Sequence, residues 1–371
     1  MAFLGKPLSF LGIDLGTSSI KMVELLNRKK RIEVATYAHA PAANPLLAMD
    51  VPSGDTITAT TNILRAMIDK SQVSSDAAIA SLPASAVFST VIELPNLPDD
   101  GQMDKAVRFA AGNVVPADLQ EMVLGWSRAS EKPHMAVGEK KESAPLSTSP
   151  GRMTEEGPVS IFLTAAPKAL VDRYLETMKR LTLRLVALEV ETFPLARSLL
   201  GEGGSPALIA DIGDMVTTFH IIDNHTPRVS YSIDVGGHHI TAAIAAAVGV
   251  TPEEAERVKK TFGLSQQKDE KIKAAIQTVV YKYLERAQHV VRSYQKKEGR
   301  GVKESILIGG GALLVGLREY WAQTMGHTTR VGNPWKGLSY PESLQGRLEE
   351  LGPTYGVAVG LALRGFDEES K

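Results

Sequence analysis

The 371-residue chain has no cysteine, which rules out disulfides, thiolate metal centres and cysteine nucleophiles at once. No uninterrupted apolar run approaches the roughly 18 residues that a membrane-spanning helix needs, so direct membrane insertion is not expected. Neither sign of charge is in excess: 41 Lys plus Arg stand against 42 Asp plus Glu, a formal net charge of −1. That balance draws the chain neither to nucleic acid nor to an anionic lipid surface. The histidines lack metal-ligand spacing, with His238 beside His239 and His220 near His225, so a zinc enzyme is not indicated. The first ten residues carry Lys6 and Pro7 without an apolar core and cleavage site, so a signal peptide is not expected and a cytoplasmic location is. A hydrophobic content of 43% with 22% charged residues suits a globular chain, long enough for two domains.

The stretch Phe10-Leu-Gly-Ile-Asp14-Leu-Gly16-Thr-Ser-Ser-Ile-Lys21-Met-Val-Glu24 carries the chemistry. An apolar run ends in an aspartate, small residues follow, and a second run alternates through Ile20, Met22 and Glu24, which reads as strand, tight turn, strand. Gly16 permits a backbone in which successive N–H groups point into one concavity, a shape suited to a phosphate. Thr17, Ser18 and Ser19 add hydroxyls, and Asp14 would hold a magnesium ion through water. The same residues would also make an ordinary hairpin with a polar turn.

Further along, Arg31–His39 is expected to be a third strand, Thr56–Lys70 a helix and Ala77–Leu82 a short apolar strand, making residues 1–82 the first half of a mixed α/β domain. At Pro83 the pattern changes. Strands at Val87–Leu94, Leu119–Arg128, Val159–Ala165 and Leu181–Val190, with helices at Asp99–Ala111 and Pro167–Arg180, suggest an inserted α+β subdomain over 83–188. Within it Ser130–Pro158 has no apolar periodicity and is rich in Lys, Glu, Ser, Pro and Gly. It reads as a mobile loop, or as a partner-binding segment that orders on contact. A connecting helix over 189–204 leads to a second domain, 205–371.

There the opening feature recurs. Asp211-Ile-Gly213-Asp-Met-Val-Thr217-Thr218 again puts an aspartate at the end of an apolar strand with a glycine two residues on. Helices are expected at Gly236–Val248, Pro252–Phe262 and Lys268–Glu298, the last with an apolar stripe through Ile272, Ile276, Val279, Val280, Tyr283, Ala287, Val291 and Tyr294 that reads as core packing. Then Ser305-Ile-Leu-Ile308 opens through Gly309, Gly310 and Gly311 into Ala312-Leu313, where a flat ring or a phosphate could approach the backbone. Leu314 stands where a dinucleotide fingerprint needs glycine, and Leu317 follows Gly316 where a Walker loop needs lysine. A last helix, 353–363, is expected to return toward the first domain.

The two aspartate turns and the glycine turn, in this order, resemble the actin-like ATPase superfamily of actin, DnaK-type chaperones, sugar kinases, MreB and FtsA. The resemblance implies an α/β, duplicated actin-like (ribonuclease-H-like) fold that grips ATP and Mg2+ between its halves. By position, Asp14, Gly16, Thr17, Ser18, Ser19 and Lys21 would form the first phosphate loop. Asp211, Gly213, Thr217 and Thr218 would form the second, with Asp14 and Asp211 flanking the magnesium through water. Gly309, Gly310, Gly311 and Leu313 would hold the adenosine. Glu256 and Lys259 would contact ribose and adenine, or form a plain surface charge pair; Gly236 and Gly237 would approach the nucleotide. Asp214 departs from the pattern, in a place where a small residue is usual.

The insert narrows the resemblance to FtsA and, more closely, to the PilM-like type IV pilus assembly proteins. It rests on Lys105-Ala-Val-Arg-Phe-Ala-Ala-Gly-Asn-Val-Val-Pro116, Glu121-Met-Val-Leu-Gly-Trp126, the stretch from Val235 to Glu256, and Tyr355-Gly-Val-Ala-Val-Gly-Leu-Ala362. The closing Phe366-Asp-Glu-Glu-Ser-Lys371 would not serve as the amphipathic membrane-targeting helix of FtsA. This likeness implies an ATP-binding scaffold, peripheral at the inner face of the inner membrane, that holds the cytoplasmic N-terminal tail of a PilN-like bitopic membrane protein. It also implies contacts with pilus motor ATPases and the platform protein. Glu189 and Glu191 are the candidates to orient a water, and hydrolysis would be slow at most. The alternatives are a small-molecule, sugar-type kinase, which would need an aspartate base absent from Val186–Glu191, and a filament-forming FtsA/MreB-like cell-division ATPase.

Overall fold

Two hairpins built alike organise the chain. The computed structural model describes residues 8–41, 45–97, 99–128, 157–201, 203–264 and 269–369. The first hairpin pairs β1 (Ser9–Leu15) with β2 (Ile20–Arg28), and β3 (Arg31–Ala40) follows. Helix α1 (Ser53–Ser71) turns Thr56, Ile57, Thr60, Leu64 and Met67 inward, and β4 (Ala77–Leu82), buried along its whole length, lies parallel to β1. Small and apolar residues, with Ser81 the one hydroxyl, suit such a central parallel strand.

The chain then leaves this sheet. Strand β5 (Phe88–Leu94), helix α2 (Asp100–Val114), β6 (Met122–Arg128) and β7 (Val159–Pro167) form a separate three-stranded antiparallel sheet ordered β5-β7-β6. Asp99 caps α2 by accepting the N–H groups of Gly101 and Gln102; a short side-chain acceptor there satisfies donors that the helix cannot. Met103, Val107 and Ala111 of α2 pack on Ile161, Leu163 and Ala165, giving this unit its own core. The greater part of the Ser130–Pro158 segment singled out in the sequence lies outside the described residues.

The expected 83–188 boundary extends the insert too far. Helix α3 (Lys168–Arg180) and β8 (Arg184–Val190) return to the first sheet, where β8 pairs in parallel with β4. Leu170, Val171, Tyr174 and Met178 of α3 share a core with Leu64, Met67 and Ala80. The first sheet therefore runs β3-β2-β1-β4-β8.

Helix α4 (Thr192–Leu199) crosses to the second half, which repeats the plan. It comprises β9 (Ala207–Ile212), β10 (Thr217–Asp223), β11 (Thr226–Ile233), α5 (Gly237–Val248), α6 (Pro252–Phe262), α7 (Glu270–Glu298), β12 (Glu304–Ile308), α8 (Leu317–Met325), β13 (Thr328–Val331), α9 (Gln345–Leu351) and α10 (Gly356–Glu369). Its sheet runs β11-β10-β9-β12-β13, the same plan of strand pairing as the first. The stripe on α7 packs inside the second core, as its periodicity demands. Strand β13 and helix α9 are too short to register in the sequence pattern.

The halves close on each other at the far end of the chain. Helix α10 lies on β1, β2 and β4, and Ser339 binds the edge of β3 by accepting from Val34 N–H and donating to the Ile32 carbonyl, both at 2.9 Å. Beneath that strap Trp335, Tyr37 and Tyr355 pack ring against ring.

Candidate functional site

The two hairpin turns match each other in their bonding. In the first, Asp14 pairs with Lys21 across the strands and Gly16 N–H donates to the Ser19 carbonyl at 3.1 Å. In the second, Asp211 pairs with Thr218 and Gly213 N–H donates to the Val216 carbonyl at 3.0 Å. A β-carbon on either glycine would stand 2.8 Å from that carbonyl oxygen, so neither turn tolerates a side chain there.

Three carboxylates converge between the turns. Asp14, almost fully buried, accepts from Ser81 Oγ at 3.2 Å and lies 3.5 Å from Lys21 Nζ. Asp211 is pushed up to about 6 by burial and by the charge of Asp14, against the pull of Lys21. Glu191 is pushed up to about 8 by burial and the charges of Asp14 and Asp211, although the Ala84 N–H donates to its Oε2 at 3.0 Å. With one lysine among three acids, the cluster is short of positive charge, and a divalent cation would supply it.

Glu189 belongs elsewhere, which corrects its expected role in orienting water. Fully buried, it binds Arg197 through two contacts of 3.0 Å, and Arg364 Nη1 lies 2.8 Å from its Oε1. It ties β8 to α4 and α10. Of the two glutamates, only Glu191 reaches the acidic cleft.

The second aspartate turn is also sharpened. The hydroxyls of Thr217 and Thr218 do not face a ligand: Thr217 donates to the Val235 carbonyl at 2.7 Å and Thr218 shares a hydrogen bond with Ser232 at 3.0 Å. Their work is to hold β10 to β11 and to the segment that enters α5. The turn itself is stitched to the start of α5, because Gly237 and His238 N–H donate to the carbonyls of Gly213 and Asp214 at 2.9 Å each. Thr17, Ser18 and Ser19, by contrast, stay at the half-buried tip of the first turn.

Lys259 serves the same joint. Its ammonium contacts the Gly237 carbonyl at 3.1 Å, Thr241 Oγ1 at 2.9 Å and Glu256 Oε2 at 2.6 Å. An ammonium has three donors, so in this arrangement Lys259 braces α6 against α5 and has none to give to a sugar or base. Glu256 also meets Lys260 and is held well below the usual carboxylate range, at about 2, by its bonds to Lys259, Thr241 and Lys260, which outweigh burial.

The glycine turn leans on the second aspartate turn. Gly309 has φ +79°, donates to the Pro353 carbonyl at 2.7 Å, and a β-carbon on it would lie 2.5 Å from Asp211 Oδ1. Gly311 is pressed in the same way against the Ile212 side chain. Gly310 has nothing near its missing β-carbon, and Leu313 beside it is 48% exposed. The result is an open platform, part backbone and part apolar, that begins beside Asp211 of the acid cluster.

Ser81 and Ala84 were not anticipated. The signal for Ser81 lies in register: β4 pairs Leu11 with Ala78 and Ile13 with Ala80, so the one hydroxyl of an otherwise apolar strand falls beside Asp14.

Comparison with known proteins agrees with this fold. The family model for the type IV pilus assembly protein PilM matches residues 12–141 and 146–366. A PilM–PilN type IV pilus biogenesis complex superposes with a TM-score of 0.79, at 25% identity over 97% of this chain and 99% of that one. MreB5 of Spiroplasma citri bound to AMPPNP shares the fold at a TM-score of 0.54 and 12% identity, over 98% of each chain. The cell division protein FtsA of Rhizobium meliloti (strain 1021) is 24% identical over 177 residues, which is 41% of this chain and 39% of that protein's length. The chain belongs to the PilM family of type IV pilus assembly proteins, with the duplicated fold of the actin-like ATPases.

Proposed function

We propose that the chain binds ATP with Mg2+ between its two hairpin turns and, in that state, serves as a scaffold for the N-terminal tail of a PilN-like bitopic membrane protein. The observation that carries the nucleotide is that both turns, Lys21 and three acids come together, with the turn at Gly309 pressed against Asp211. The turns suit phosphates, and Lys21 would neutralise part of their charge. Among the described residues no group of three or more His, Cys, Asp or Glu is placed to hold a metal by itself. Magnesium keeps several of its waters and takes other ligands from phosphate. Asp14 and Asp211 would hold those waters.

Glu191 is the group positioned to orient a water toward the bound phosphate. Its raised pKa makes it a poor proton acceptor near neutral pH until a cation nearby lowers it. Slow turnover follows, so the nucleotide works as a clasp more than as fuel.

The partner reading rests on family membership and on the PilM–PilN complex. The insert-bearing half would hold the tail, and the protein would sit peripherally at the inner face of the inner membrane through this and other partners, pilus motor ATPases and the platform protein among them. Among the described residues no helix is long and apolar enough to cross a membrane. The deciding experiment is a pull-down with N-terminal peptides of the neighbouring bitopic pilus protein, with and without ATP and Mg2+. Retention is expected, and stronger with nucleotide; no retention in either state overturns the scaffold reading while leaving the nucleotide cleft standing.

A further inference from the structure

Three consecutive residues at the start of α4 touch three different parts of the molecule. Glu191 points into the acidic cleft, within the field of Asp14 and Asp211. Thr192, fully buried, places its Oγ1 3.0 Å from His220 Nδ1 on β10 of the second half. Phe193 meets Phe162 of the insert edge-on, with ring centroids 5.1 Å apart, and Val91 of β5 packs against the pair.

Glu191 has a second line to the insert. Its Oε2 accepts the N–H of Ala84 at 3.0 Å, and Ala84 opens the short turn Ala84–Ala86 that leads directly into β5. That turn and β5 both lie against β11 of the second half.

Polar atoms are buried around the contact between insert and second half. Ser89 Oγ on β5, Arg228 Nε on β11 and His220 Nε2 on β10 are buried without a hydrogen-bond partner among the described residues. Burial pushes the His220 ring down to about 3, so it stays neutral and cannot gain a charge partner there. A buried polar atom without a partner costs free energy, so a rearrangement that pairs it is favoured. The body of α4 differs: Arg197 is clamped to Glu189 and Asp367, fixing the helix to the first half. A helix fixed in this way presents its first turn to the joint between insert and second half.

We propose that the start of α4 couples occupation of the cleft to the seating of the insert on the second half. A phosphate and its cation arriving beside Glu191 redirect its carboxylate, which releases or retightens Ala84 and re-aims Phe193 against Phe162. The insert shifts on β11, while Thr192 and His220 keep the second half in register with α4. This rests on the nucleotide reading of the cleft, and it supplies the route by which a bound nucleotide would alter what the insert holds.

The absence of cysteine makes the test direct. Lys105→Cys on α2 and Lys282→Cys on α7, both exposed, take nitroxide labels whose separation is read by pulsed electron paramagnetic resonance. Binding of a fluorescent ATP analogue with Mg2+ is measured separately on the same protein. The expected result is a shift of the mean distance on ATP–Mg2+ in the labelled chain and its loss in Phe193→Leu, with nucleotide affinity within twofold. An unchanged distance on binding, or the same shift in Phe193→Leu, overturns the coupling. Should no nucleotide bind, the cleft reading fails, and the nucleotide-free chain decides the coupling. There Glu191→Ala, which cannot hold Ala84, broadens the distance distribution while Glu191→Gln, which can, does not; identical distributions overturn it.

Discussion

Lys21 reaches back across its own hairpin to Asp14, Nζ to Oδ2 3.5 Å, and the two residues are direct cross-strand partners. The pair makes the first turn an electrostatic unit: the lysine compensates the aspartate without ligand and is free to turn toward phosphate when one arrives. Charge-assisted bonds of this kind contribute about 1.5–3 kcal/mol each, or roughly 10- to 100-fold in affinity. Asp14→Ala and Lys21→Ala should each abolish the rise in melting temperature produced by millimolar ATP with Mg2+. A thermal shift equal to that of the unaltered protein would mean that the turn does not bind phosphate.

The acid cluster predicts a pH dependence in the protein without ligand. Glu191 rises from 4.5 to about 8 and Asp211 from 3.8 to about 6 on folding. Such groups keep their protons in the folded state at pH values where the unfolded chain has lost them, so stability falls as pH rises between the two values. His220, lowered to about 3, acts oppositely below 6.5, where the unfolded chain gains a proton that the folded one refuses. Between pH 6.5 and 8 the decline therefore belongs to Glu191 alone among these groups. Melting curves across that window should fall for the unaltered chain and stay level for Glu191→Gln; Mg2+ with ATP should remove the slope.

Glu189 should behave unlike its neighbour two residues on. Removing it leaves Arg197 and the fully buried Arg364 without their shared carboxylate, and breaking such a buried pair costs about 3–5 kcal/mol. Glu189→Ala is expected to lower the denaturant midpoint severely, whereas Glu191→Ala leaves it within the range of ordinary substitutions. Equal effects of the two changes would contradict the separation of roles.

The sequence made the two aspartate turns and the glycine turn legible because each needs a residue type that few others can replace. A glycine two positions after an aspartate is demanded by a turn with no room for a β-carbon. The roles of Glu189 and Glu191 were not legible. Strand β8 ends at Val190, so alternation stops between them, and which acid meets the arginines depends on α4 and α10, distant in sequence. The insert boundary failed for a similar reason. Helix α3 and β8 follow β7 without a break in pattern, and only pairing with β4 shows where they belong. Lys259 and the two threonines carry the right chemistry for a ligand, but local partners take up their donors.

The glycine turn separates folding from binding within three residues. At Gly309 the positive φ of 79° and the 2.5 Å approach to Asp211 exclude any side chain; Gly309→Ala therefore strains the backbone and pushes directly on a cleft acid. A β-carbon on Gly310 would meet nothing within 4 Å, so Gly310→Leu should fold normally while filling the platform that a nucleoside would occupy. The expected pattern is a lowered melting temperature for Gly309→Ala, and for Gly310→Leu an unchanged melting temperature with at least tenfold weaker binding of a fluorescent ATP analogue. Leu313→Ala, which removes the exposed apolar side chain of the platform, should weaken the same binding by roughly 5- to 30-fold at most, since one leucine buried against a ring contributes about 1–2 kcal/mol. Undiminished binding by Gly310→Leu would place the nucleoside away from this turn while leaving the two aspartate turns as the place where the phosphates are held.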